Sequence, residues 1–149
     1  MKINTIIGKS EIMQEAQNTF ISSTFWTERI GPTAGLKTLD VMEKTKSWDY
    51  ISSMGKNIRS KWESLAEKHG LPIQLGGLLA IPNYSIPVHN WLNYKTFITQ
   101  EMLKQGYLAT NAVYVCTEHT EDIVDKYFEK LDPIFSTIAE CENGKDINR

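Results

Sequence analysis

Positions Trp48, Ile51, Gly55, Ile58, Trp62 and Leu65 recur at alternating spacings of three and four, one stripe of an amphipathic helix. His69-Gly70 supplies a C-cap for it, and Pro72 a stop just beyond. Trp91, Tyr94, Ile98 and Met102 mark the inner face of a second helix, which ends near Gln105-Gly106. Val124, Tyr127, Phe128, Leu131, Phe135 and Ile138 mark a third. Thr120 caps that one, Glu121 and Asp122 occupy its first turn, and Pro133 should kink or weaken it. Between these helices, residues 73–75 and 78–81 are short apolar runs around Gly76-Gly77, which predicts a hairpin turning at the glycine pair. Residues 83–87 read as a loop and 112–116 as a strand. Ahead of them, residues 3–7 read as a strand ending at Gly8, with Ser10 capping a short helix over 11–17. A further helix is expected from Thr27 or Glu28 to about Lys46, with Gly31-Pro32 in its first turns. The fold class is therefore α+β, a small, mostly antiparallel sheet with helices packed on one side. The first strand has no evident partner, as if an upstream portion were missing.

At 149 residues with 41% hydrophobic and 23% charged positions, the chain can bury a core and is not a disordered type. A net charge of -2 and no Lys/Arg stripe exclude a nucleic-acid footprint. Apolar runs are too short to span a bilayer, and the start MKINTIIGKSE lacks a signal-peptide core. Cys116 and Cys141 have no metal-ligand spacing, and Cys116 reads as a buried, inert thiol. A cytoplasmic setting is the simplest expectation.

His69, His89 and His119 have no partner at metal-site spacing, so no metal is expected. The sequence contains no nucleophile elbow, P-loop or H-E-x-x-H. The carboxylates Glu118, Glu121, Asp122, Asp125 and Glu129 read as a solvated helix face. What stands out is FISSTFWTERIGPTAG, residues 20–35, which sets Ser22, Ser23, Thr24 and Thr27 around Phe25-Trp26 ahead of a helix. Hydroxyls and free N–H groups at a helix start suit an anion, above all phosphate. They equally suit a helix cap with Phe25 and Trp26 as core anchors.

The order of these features adds to that reading. TIIGKSEIMQEAQNTFISSTFWTERIGPTAGLKTLDVM resembles the C-terminal part of class III pyridoxal-phosphate-dependent aminotransferases, closest to the glutamate-1-semialdehyde 2,1-aminomutase-like branch. The matching features are Ile6-Ile7-Gly8, Glu11-Ile12-Met13 and Ser23-Thr24-Phe25. Further on, GYLATNAVYVCTEHTEDIVDKYFEKLDPIF resembles the family's closing strand and helix. The resemblance implies the C-terminal small domain of a type I fold enzyme. Residues 1–26 would be a remnant of the large domain carrying the phosphate-contact loop, 27–46 a connecting helix, 47–140 the small domain and 141–149 a polar tail. It also implies a homodimer in which Thr24, with Ser23 beside it, binds the cofactor phosphate of the neighbouring subunit.

Two departures qualify what is carried over. Trp26-Thr27-Glu28-Arg29 replaces the family's usual residues after the aromatic, and neither Lys2 nor Lys9 stands where the Schiff-base lysine belongs. That lysine, and the aspartate that pairs with the pyridine nitrogen, belong upstream. The implied activity is amino-group transfer, as an aminotransferase or aminomutase acting on a small amino or carbonyl substrate. The isolated chain is expected to be inactive, without a catalytic residue and without bound pyridoxal 5'-phosphate. The alternative is a stand-alone, non-catalytic binding or dimerisation module of the same fold, with Phe25-Trp26 as its contact patch.

Overall fold

A computed structural model describes residues 8–19 and 28–144. The chain divides into two compact units, residues 1–46 and 47–149. In the first, helix α1 spans Ser10–Gln14 and continues as a 3-10 turn over Glu15–Asn18. Ser10 is the first helical residue rather than the cap. The carbonyl of Lys9 accepts the N–H groups of Ile12 and Met13. Helix α2 spans Ile30–Thr45, with Gly31-Pro32 in its first turn, where the missing proline donor costs least. It stops at Lys46, whose backbone is left-handed (φ 48°). The strand expected over 3–7 lies outside the described residues.

The second unit is built of α3 (Ser47–Lys68), β1 (Gln74–Leu78), β2 (Ile81–Ser85), α4 (Trp91–Lys104) and α5 (Glu121–Glu142). Helix α3 closes as the sequence predicts. Gly70 takes a positive φ, its N–H bonds to the carbonyl of Glu67, and the N–H of Leu71 reaches back to Ala66. Helix α4 closes the same way through Gly106 and Tyr107 onto Leu103 and Met102. Thr120 caps α5, its Oγ1 accepting the N–H of Ile123. That helix runs through Pro133, which leaves the Glu129 carbonyl without its usual donor.

The hairpin corrects the sequence reading. Leu78 pairs with Ile81, so the turn is Leu79-Ala80 and both glycines lie inside β1. They are needed there by close approach. A Cβ at Gly77 (φ 76°) would fall 2.2 Å from the Ile81 carbonyl oxygen, and one at Gly76 2.7 Å from Asn83 Oδ1. Residues 83–85, expected in a loop, belong to β2. Residues 111–115 run antiparallel along its far side. Tyr84 N–H donates to Asn111, Val113 N–H to Pro82 and Val115 N–H to Ala80. The sheet is thus small and antiparallel, and its inner side packs on helices.

Tyr84 holds the centre of that inner side. Its ring lies 4.7 Å from Trp62 of α3, 5.8 Å from Phe135 of α5 and 6.0 Å from Trp91 of α4. Ile58, Ile98, Met102, Leu131 and Ile138 close the core around this aromatic cluster. Trp48, expected on the inner stripe of α3, is 45% exposed. Among the described residues no helix is long and apolar enough to cross a membrane.

Candidate functional site

Thr24 and Ser23, with Phe25 and Trp26, lie in residues 20–27, outside the described residues. Among the described residues no group of three His, Cys, Asp or Glu comes together as a metal site. Cys116 is exposed rather than buried, because the strand it was expected to end leaves the sheet at Val115.

Two of the three histidines, His69 and His119, have structural partners. His69, at the end of α3, brings Nε2 within 2.5 Å of Asp132 Oδ1 on α5, and Lys68 Nζ donates to the other oxygen at 2.5 Å. The Lys68 hydrogen bond, then that of His69, holds the Asp132 carboxyl below the usual carboxylate range. His119 Nδ1 accepts the Cys116 N–H at 3.1 Å, and its carbonyl accepts from Tyr50 Oη at 3.0 Å. In the neutral ring this leaves the proton on Nε2. His119 therefore offers one donor beside the start of α5.

His119 lines a large, mostly apolar groove of about 470 Å³. One wall is the segment Tyr107 to Tyr114, and the other is Ile123, Val124 and Tyr127 of α5 with Ile58 of α3 at its floor. Tyr127 Oη accepts the Trp62 Nε1–H at 3.2 Å deep in the core, and burial pushes its pKa up. Tyr84 Oη, fully buried, has no partner among the described residues, and burial pushes its pKa well up too. At the other end of the helical layer, Tyr94 donates to Glu142 at 2.5 Å. Its pKa is pushed up to about 12, first by burial and then by that bond.

The sequence reading found the strand but not the groove beside it. A signal was present, since residues 105–117 carry no charged side chain yet include Leu108 and Tyr114, which are 97% and 76% exposed.

No protein-family model matches the chain. Curated relatives do. A 3-aminobutyryl-CoA aminotransferase of Cloacimonas acidaminovorans is 25% identical over 80% of this chain and 30% of its own length. An aminopentol aminotransferase of Sphingopyxis macrogoltabida is 21% identical over 91% of this chain and 33% of its own. A 2'-deamino-2'-hydroxyneamine transaminase of Streptomyces kanamyceticus is 28% identical over 50% and 19%. These relatives are aminotransferases. The chain spans a third or less of their length. In fold it is similar to FumI of Sphingopyxis sp. MTA144, solved in its PLP internal aldimine form. That likeness covers 94% of this chain and 34% of FumI, with a TM-score of 0.74 at 19% identity.

The described groove does not fit that cofactor. No Lys or Arg lines it to meet a phosphate dianion, and its walls are mostly apolar.

Proposed function

We propose that this chain is the C-terminal small-domain portion of a class III pyridoxal-phosphate-dependent aminotransferase and serves amino-group transfer only within the complete enzyme. The observation that carries this reading is the paired coverage. Nearly all of the chain matches FumI in fold and an aminopentol aminotransferase in sequence, yet it accounts for about a third of each. The relatives' names join amino-group transfer to three dissimilar carriers, so the transfer itself is what extends to this chain. In this reading the Schiff-base lysine lies outside these 149 residues. Residues 1–26 belong to the large domain, and 47–140 form the small domain.

Thr24, with Ser23 beside it, contributes hydroxyl and main-chain donors to the cofactor phosphate of the neighbouring subunit of a homodimer. A hydroxyl donating to a dianion forms a charge-assisted bond, about twice as strong as a neutral one. In the complete enzyme, Thr24→Ala should weaken cofactor retention by about tenfold, which corresponds to losing one such bond. Bound cofactor is read from its absorbance after exhaustive dialysis. Retention equal to the parent would remove Thr24 from the phosphate site.

A further inference from the structure

The segment beside β2 is a sheet edge left open. Asn111, Val113 and Val115 turn their main-chain groups to β2, so those of Thr110, Ala112 and Tyr114 face away from it. None of these three makes a main-chain bond among the described residues. Natural edges are blunted by charge, proline or a bulge. On the opposite edge of this sheet Gly77 takes a left-handed conformation, which distorts that strand as a template. The 110–114 edge has no such device, and no charged residue lies between positions 105 and 117.

Its surroundings favour a strand. The register sets Leu78, Ile81 and Tyr114 in one row across the outer face, and the next row is Gly76, Asn83 and Ala112. That face is thus apolar at one end and nearly flat beside it. Along the open edge runs the groove of about 470 Å³, closed on its far side by Ile123 of α5 and by His119. A wall on that side admits a single extended chain more readily than the sheet edge of a second folded copy.

We propose that this edge receives, as an added strand, an extended and largely apolar segment from the two thirds of the enzyme that this chain does not span. The inference rests on the reading of the chain as part of a longer aminotransferase, since the relatives and FumI extend well beyond the matched stretch. Main-chain bonds to Ala112 and Tyr114 supply the affinity, and an alternate apolar side chain enters the groove.

Amide hydrogen exchange tests it, on the 149-residue chain and on the complete polypeptide encoded by the gene. In the short chain, Thr110, Ala112 and Tyr114 should exchange fast, and Val113 and Val115 slowly. In the complete polypeptide the first three should slow by at least about tenfold. Ala112→Pro should abolish the slowing at Tyr114 and spare Val113 and Val115, because the lost N–H points away from β2. Tyr114→Lys, at an exposed position, tests the same edge should the proline variant fail to fold. A complete enzyme that binds its cofactor while these amides stay fast overturns the added strand and leaves the functional reading standing. A gene encoding no longer polypeptide overturns both. Slowing in the short chain that grows with protein concentration gives the edge to a second copy and also overturns the proposal.

Discussion

Single residues fix this fold where two backbones meet. A Cβ at Gly55 would lie 1.8 Å from the carbonyl oxygen of Leu79, so the hairpin tip sits directly on α3 at that point. Helix propensity alone favours Gly55→Ala by about 1 kcal/mol. The clash is with main chain, which cannot rotate away, so the substitution should instead destabilise by about 2 kcal/mol or more. Chemical denaturation measures this, and a neutral or stabilising result would contradict the packing described. The sequence shows Gly55 only as a member of an apolar stripe. The reason for a glycine there lies 24 positions along the chain, in a hairpin tip that periodicity does not register. The misplaced turn has the same origin, because turn statistics favour Gly76-Gly77 while the cross-strand crowding of Asn83 and Ile81 requires them within β1.

Among the elements, α3 and α5 are joined at the core by Trp62 and Tyr127 and at the surface by Lys68 and His69 on Asp132. The folded-state pKa of Asp132 is lowered, so its contribution is present above the unfolded carboxylate value, about 3.9, and is lost as pH falls through the lower folded value. Asp132 is about a third exposed, which keeps the contribution near the 1 kcal/mol or less of surface pairs. The stability gap between the parent and Asp132→Asn should therefore shrink below about pH 4 and narrow with added salt. A gap that holds to about pH 2, measured by thermal unfolding, would contradict this assignment. The helices were legible because each carries its stripe and its stop signals, including Thr120 at the start of α5 and Gly70 at the end of α3. The groove was not, because one wall is an irregular strand and Ile123, the exposed residue of the other, enters no stripe.

Taken whole, the chain forms two compact units, and the buried core among the described residues lies in the second, residues 47–149. The resemblance in the sequence named the family that the relatives then supported at the level of aminotransferases, over about a third of their length. The central claim is that the lysine carrying the cofactor lies outside this chain. Borohydride reduction of the complete enzyme, followed by peptide mapping, locates the pyridoxyl-lysine. The account predicts a labelled peptide outside these 149 residues and a second, Thr24-bearing peptide without label. A stoichiometric label on any lysine of this chain would contradict it.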